Sequence, residues 1–132
     1  MKHLVQPMIF MSAYRADFPI EMNVDRHAQL CRDLESVHRR YLNVVGSYAG
    51  KMEQSVAFLL PNTTSAASWA QHVAARYGQE SVLVRHADGS CYLIYCEDGR
   101  EEYIGQWREI SATKAHDSGA WSRIGGKYYQ AV

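Results

Sequence analysis

The feature that most constrains the fold is the alternation of short apolar runs with two longer segments of helical periodicity. Apolar side chains recur at helical spacing over residues 24–42 and again over residues 64–78. The first stripe consists of Ala28, Leu30, Cys31, Leu34, Val37 and Tyr41, and the second of Ala66, Trp69, Ala70, Val73, Ala74 and Tyr77. Such a change of period predicts amphipathic helices packed against strands, which is the α+β class.

Short apolar runs bounded by turn residues predict six strands. They span residues 4–14, 44–49, 55–60, 81–86, 91–96 and 103–110. We predict Asn23 as the N-cap of the first helix, Asn62 or Thr63 as the N-cap of the second, and Gly78 as the end of the second helix. Residues 111–126 are expected to form a loop, and residues 127–132 an edge strand or a tail.

The order of these elements predicts one domain over residues 1–132 with a ferredoxin-like sandwich. Strand, helix, strand, strand, helix, strand is the split βαββαβ unit, and a C-terminal β-hairpin or meander is added to it here. We expect an antiparallel sheet with two helices on one face. Self-association would bury the other face, to which Tyr92, Tyr95, Tyr103 and Trp107 would contribute apolar surface.

The balance of charge argues against several classes of partner. Lys plus Arg and Asp plus Glu each number 14, so no basic field exists to hold nucleic acid. No apolar run approaches the roughly 20 residues of a membrane span, and the N-terminal segment does not read as a signal peptide. Three cysteines without paired spacing, Cys31, Cys91 and Cys96, indicate reduced thiols. We therefore expect a cytoplasmic protein with neither a nucleic-acid nor a membrane partner.

Common catalytic motifs are absent from the sequence. The six histidines are scattered, and no Cys-x-x-Cys pair, P-loop or Gly-x-Gly-x-x-Gly occurs. Ser12 has no nucleophile-elbow setting. We therefore expect no metal and no cofactor, and a chemistry that depends mainly on positioning the substrate.

Polar residues gather at the exit of the first strand and the start of the first helix, where a small α/β domain can hold a charged metabolite. The group consists of Ser12, Arg15, Asn23, Arg26, Gly46, Tyr48 and Glu53. Structural roles compete with binding at each position. In the structural interpretation, Asn23 only caps the helix, Arg26 only pairs with Glu21 or Asp17, and Glu53 is only an exposed carboxylate in a turn.

These motifs resemble the phage-encoded S-adenosylmethionine (SAM) lyases, long called SAM hydrolases. Ser12-Ala13-Tyr14-Arg15, followed by Glu21 through His27, is similar to the Ser-Ala-Phe-Arg and Glu-Val-Asn-Met-Ser-Arg-His of the coliphage member at the same spacing. Weaker similarity continues at residues 46–48, 53–56, 81–84 and 105–109. The spacing from Tyr48 to Glu53 is shorter than in the family, so these two assignments require a trimmed surface loop.

The resemblance implies that the chain cleaves SAM to 5′-methylthioadenosine and L-homoserine lactone, by attack of the substrate's own carboxylate on Cγ. It also implies a homotrimer with active sites between subunits. The protein would be phage-encoded and would lower SAM in the bacterial host cytoplasm, which counters SAM-dependent restriction. Two alternatives remain open: a hydrolase with Glu53 as general base, and a trimeric sensor that binds SAM or a nucleotide without consuming it.

The resemblance also implies roles for particular residues. Glu53 and Tyr48 are the expected catalytic residues, and the expected substrate-binding residues are Ser12, Ala13, Tyr14, Arg15, Asn23, Arg26 and Gly46. We assign Arg15 and Arg26 to support of the pocket or to subunit contacts, because an arginine that grips the attacking carboxylate would weaken it as a nucleophile. Glu101 or Glu102 is a further acidic candidate.

Overall fold

The structure, a computed structural model, describes residues 6–37, 39–48, 50–59 and 64–132, without the side chains of residues 64–66. Within these residues the chain forms the elements β1 (Met8–Ser12), α1 (Ile20–Ser36), β2 (Leu42–Tyr48), β3 (Lys51–Leu59), α2 (Thr64–Arg76), β4 (Ser81–Arg85), β5 (Ser90–Tyr95), β6 (Glu101–Ile110), α3 (Ala112–Ser118), β7 (Trp121–Ile124) and β8 (Lys127–Ala131). The six predicted strands and two predicted helices are all present, with shifted ends.

The strands form a closed antiparallel barrel in the order β1-β3-β2-β7-β8-β6-β5-β4, with β4 returning to β1. The predicted ferredoxin-like sandwich, an open sheet with two helices on one face, is therefore wrong. The reason lies in residues 111–126, predicted as a loop, which contain α3 and β7. Because β7 pairs with β2 and β8 pairs with β6, the edges that an open sheet would expose are joined.

Two apolar layers lie on opposite sides of the sheet. Outside the barrel, α1 and α2 cover a large cluster that includes Ile9, Leu34 and Phe58. Inside, a smaller cluster joins residues from six strands: Met8, Phe10, Val44, Ala57, Leu83, Trp107 and Ile124. The rings of Phe10 and Trp107 lie 5.0 Å apart across the interior. Closure of the barrel therefore encloses the inner face of the sheet, with Trp107 inside it. Tyr103, which was expected on the same apolar face, is instead 52% exposed.

The helices begin and end at other residues than predicted. The first spans Ile20–Ser36, and its N-cap is Pro19, so the assignment of Asn23 as N-cap is wrong. Proline is well suited to this boundary because its ring fixes φ near the helical value. The predicted caps of the second helix, Asn62 and Thr63, lie outside the described residues. In the described part of the chain, no helix is long and apolar enough to cross a membrane.

Candidate active site

Glu53 lies on the inner face of the barrel, toward one end. It is opposite Gly46 in the β2–β3 pair, and Gly46 is opposite Ser122 of β7. Ala57, further along β3, belongs to the interior cluster. Because alternate residues of a strand share a face, Ser55 and Glu53 also point to the interior side.

Gly46 leaves space beside the Glu53 side chain. A Cβ at position 46 would lie 3.9 Å from the Glu53 Cγ and 3.7 Å from the Ser55 Oγ. These are ordinary van der Waals distances, so alanine fits there, whereas a larger side chain would occupy the space next to the carboxylate. We refer to the space next to the Glu53 carboxyl group, between Gly46 and Ser55 at this end of the barrel, as the Glu53 recess.

The Glu53 carboxyl group is half-buried, and this burial raises its pKa above the ordinary value. Neither of the ion pairs within the described residues involves Glu53; they join Arg15 to Asp17 and Lys127 to Glu109. When a carboxylate loses part of its hydration and gains no neighbouring cation, the free-energy cost of that lost hydration is only partly offset. The recess is therefore suited to a ligand that brings a positive charge or hydrogen-bond donors.

Ser12 fixes the backbone beside this recess. Its hydroxyl donates to the carbonyl of Gln54, at 2.8 Å, and accepts from the N–H of Tyr14, at 3.0 Å. The side chain thereby ties the residue next to Glu53 to the chain that leaves β1. Ser12 is buried, and its contacts are those of a residue that shapes the site.

Asn23 clamps the loop between β1 and α1. Its Oδ1 accepts from the Arg15 N–H at 2.9 Å, and its Nδ2 donates to the Arg15 carbonyl at 2.9 Å. Asn23 is only 5% exposed. Its amide therefore satisfies both backbone groups of one loop residue from a position inside the helix.

The Arg15 side chain connects this loop to other parts of the chain. Its guanidinium forms an ion pair with Asp17, with an Nε–Oδ1 distance of 2.9 Å, and donates to the Gly78 carbonyl at 3.0 Å. Arg15 therefore joins the loop after β1 to the end of α2.

Arg26, a residue of α1, also connects the loop after β1 to the end of α2. It donates from Nε to the Ala13 carbonyl at 2.8 Å and from Nη2 to the Tyr77 carbonyl, and its guanidinium lies 4.8 Å from the centre of the Phe18 ring. Its partners are thus two backbone carbonyls, rather than the expected Glu21 or Asp17.

The two tyrosines of the predicted site lie in different environments. Tyr14 is 7% exposed, and its ring meets His27 edge-on with 6.3 Å between ring centres. Burial, together with the nearby charge of Glu53, raises the pKa of Tyr14. Tyr48 lies at the end of β2 opposite Lys51 and is 77% exposed. Within one chain, the structure therefore groups Tyr14 with Glu53 and leaves Tyr48 in solvent.

A comparison with models of protein families shows to which family the chain belongs. The profile of the S-adenosylmethionine lyase family matches residues 9–132, which include nearly all of the described fold. The chain belongs to the S-adenosylmethionine lyase family. No curated protein matches it.

The sequence interpretation missed β7, whose Ser122 lies opposite Gly46, the partner of Glu53 in the β2–β3 pair. Ser122 pairs with Tyr129 of β8, and the Tyr129 ring stacks on Trp107 with 5.4 Å between ring centres. A sequence signal was available, because Trp121-Ser122-Arg123-Ile124 alternates in polarity and precedes Gly125-Gly126, which is typical of a hairpin.

The remaining acidic candidates of the lyase lie elsewhere. Glu101 and Glu102 are exposed at the start of β6, opposite Ile94 and Leu93, and Glu102 accepts a hydrogen bond from the Tyr95 hydroxyl at 2.8 Å. Among the residues that the structure describes, no three His, Cys, Asp or Glu side chains cluster as metal ligands.

Proposed function

We propose that this lyase converts SAM to 5′-methylthioadenosine and L-homoserine lactone by intramolecular attack of the substrate carboxylate on Cγ. Family membership supports chemistry on SAM. One structural observation supports a binding site for SAM. The Glu53 carboxylate beside Gly46 is half-buried, and this carboxylate has no ion-pair partner among the described residues. SAM carries both a sulfonium and an α-ammonium group, and therefore matches a recess that lacks a cation.

The reaction needs little from the protein except geometry. The carboxylate oxygen forms a bond to Cγ as the Cγ–S bond breaks, and the electron pair of that bond moves to sulfur. The sulfonium becomes a neutral thioether, and no proton is transferred. Holding the two ends of the substrate together can supply on the order of several kcal/mol of the barrier, and exclusion of water favours lactone over homoserine.

The charge of Glu53 restricts where it binds the substrate. A carboxylate held against the sulfonium would stabilise the ground state, whose charge disappears in the reaction, and would slow the step. We therefore assign Glu53 to the α-ammonium group or the ribose hydroxyls. The guanidinium groups of Arg15 and Arg26 bind protein acceptors, which supports a role in framing the pocket and leaves the attacking carboxylate free.

The β2–β3 hairpin supports a site shared between subunits. Tyr48 is 77% exposed and Met52 66% exposed, and they lie at neighbouring positions of the hairpin. Adjoining exposed side chains of this size are typical of a surface that contacts another protein. We propose a homotrimer in which Tyr48 of one subunit completes the Glu53 recess of the next, presenting its ring or hydroxyl to the substrate. The biological role that accompanies this proposal is removal of SAM from a bacterial host by a phage protein.

Product analysis in ¹⁸O-labelled water tests the reaction. The proposal predicts that methylthioadenosine and unlabelled homoserine lactone appear together, faster than in a protein-free control. Any homoserine formed later from the lactone carries the label in its carboxyl group. Label in the γ-hydroxyl from the earliest time points would show direct attack of water, which contradicts the lyase mechanism and supports the hydrolase. Saturable SAM binding without products would support the sensor.

Two variants test the site. Glu53→Gln keeps the shape of the side chain and removes its charge, so we expect a large loss of turnover in a folded protein. Glu109→Gln is the matched control, because Glu109 is exposed and pairs only loosely with Lys127, at 3.9 Å. Full turnover in the Glu53 variant would exclude this residue from the mechanism.

Mixing of inactive variants tests the shared site. If Tyr48 and Glu53 of different subunits form one site, a mixture of Tyr48→Ala and Glu53→Gln proteins, refolded together, regains activity at about a quarter of its sites. Light scattering of the same mixture gives the subunit number. No regain of activity in a mixed oligomer would show that the two residues do not act across the interface.

A further inference from the structure

A second recess lies at the opposite end of β3 from Glu53. It has a volume of about 550 Å³, and its lining includes Val37, Arg39, Arg40, Leu42, Phe58 and Leu59. Leu59 and Glu53 are six residues apart on one strand, which corresponds to about 20 Å. The recess is therefore separate from the candidate active site.

The walls of this recess are apolar and open to solvent. Three of its lining residues are large hydrophobic side chains that remain exposed: Val37 by 44%, Leu42 by 51% and Leu59 by 49%. Single exposed apolar residues are normal on a protein surface, but a converging group marks a surface that binds something. The volume lies within the usual range for small-molecule sites.

Arg39 gives the recess a fixed positive charge. Its backbone N–H donates to the Leu34 carbonyl at 2.9 Å, and its guanidinium lies 5.2 Å from the centre of the Phe58 ring and 6.0 Å from that of Trp69. The Nε atom is buried and has no hydrogen-bond partner among the described residues. Aromatic packing thus holds this guanidinium in place while one of its donors remains unused.

The lining residues favour an anion. Arg40 adds a second guanidinium, and none of the described lining residues is acidic. One carboxylate lies close by, since Glu35 accepts a hydrogen bond from the hydroxyl of the lining residue Tyr41 at 2.9 Å, and the two guanidinium groups outnumber it. We propose that this recess binds a small amphipathic anion, with its carboxylate, sulfonate or phosphate group on Arg39 and Arg40 and its apolar body against Leu42 and Leu59.

Calorimetry with a matched pair of probes tests the proposal. Octanoate and 1-octanol share an apolar chain and differ in charge. We expect saturable binding of octanoate to the intact protein, and at least about tenfold weaker binding of 1-octanol, as for the loss of a charged hydrogen bond. Absence of saturable octanoate binding, or equal binding of the two probes, would overturn the proposal.

Arginine variants locate the site. Arg39→Met keeps an apolar stem over Phe58 and removes the charge, so octanoate binding should weaken about tenfold or more. Arg32→Met is the matched control, because Arg32 is an exposed arginine of α1 whose guanidinium contacts only Gln29, and it should bind octanoate normally. Equal weakening by both variants would indicate non-specific attraction and would contradict the site.

A further variant keeps the test decisive if Arg39→Met lowers the thermal stability. Arg40 is exposed, so Arg40→Met removes the second charge without disturbing the aromatic packing, and it should also weaken octanoate binding. Unchanged binding in a stable Arg40→Met protein would overturn the proposal, which places the anionic group on both guanidinium groups. Cleavage of SAM should be unchanged in both Arg39→Met and Arg40→Met, because Glu53 lies at the other end of the barrel.

Discussion

Replacement of Asn23 by alanine separates a structural from a ligand-binding role for this residue. The Asn23 amide makes two hydrogen bonds of 2.9 Å to the backbone of Arg15 and is 5% exposed. Each bond contributes about 1 kcal/mol, and the Arg15 N–H left without a partner adds to the cost, whereas the Arg15 carbonyl keeps its hydrogen bond from the Phe18 N–H at 3.1 Å. We therefore expect the free energy of unfolding to fall by about 2–4 kcal/mol, which lowers the melting temperature by roughly 10 °C in a domain of this size.

Thermal unfolding and SAM kinetics on the same preparations measure this effect. The matched control is Gln29→Ala on the same helix, because the Gln29 amide contacts only the exposed side chains of Asp33 and Arg32. Its melting temperature should stay within about 2 °C of the parent. If Asn23→Ala melted with the parent but raised KM for SAM, Asn23 would be a substrate contact, and the clamp interpretation would be refuted.

Three other changes have defined outcomes. Gly105→Ala places a Cβ 2.6 Å from the backbone of Val132 at a φ of +129°, so it should lower the free energy of unfolding by about 2 kcal/mol or more. Gly125→Ala has open space around it and should lower the free energy of unfolding by about 1 kcal/mol. Denaturant unfolding measures both values. Gly46→Val should fill the recess and abolish SAM cleavage while the melting temperature stays near that of Gly46→Ala; full activity would exclude a ligand there. Because burial raises the pKa of Glu53 above its ordinary 4.5, the folded state binds the proton more tightly than the unfolded state, and stability falls as pH rises through that interval. Glu53→Gln should therefore be more stable than the parent at pH 7 and equal to it near pH 3, and a less stable variant at pH 7 would contradict burial as the cause.

The helices and strands were predictable because their signals are local. Leu30 and Leu34 are spaced as on one face of a helix, and both side chains are fully buried between α1 and the sheet. The closure of the barrel was not predictable by the same rules. It depends on the pairing of Val45 with Arg123 and of Trp107 with Ala131, and no local period encodes contacts between residues so distant in sequence.

The candidate site was predictable in outline and not in its contacts. The residues around Ser12, Asn23 and Arg26 do lie together, because a strand exit and a helix start meet in this fold. Their hydrogen bonds, however, go to backbone groups of the same loop, of Gln54 and of Tyr77. A side chain's partner depends on which segments pack beside it, so the sequence pattern could not distinguish a clamp from a ligand contact.

By itself, the sequence determined the order of the elements from β1 to β6, the two apolar helix faces and the family, since all three are carried by spacing along the chain. Only the tertiary structure decided that the sheet closes into a barrel, that the Glu53 carboxyl group is half-buried beside Gly46, and that Tyr48 remains exposed. The physical reason is that burial and electrostatics depend on distances between segments far apart in the chain. For Glu53, the neighbouring strands set the desolvation of the carboxyl group, and the sequence around position 53 does not show it.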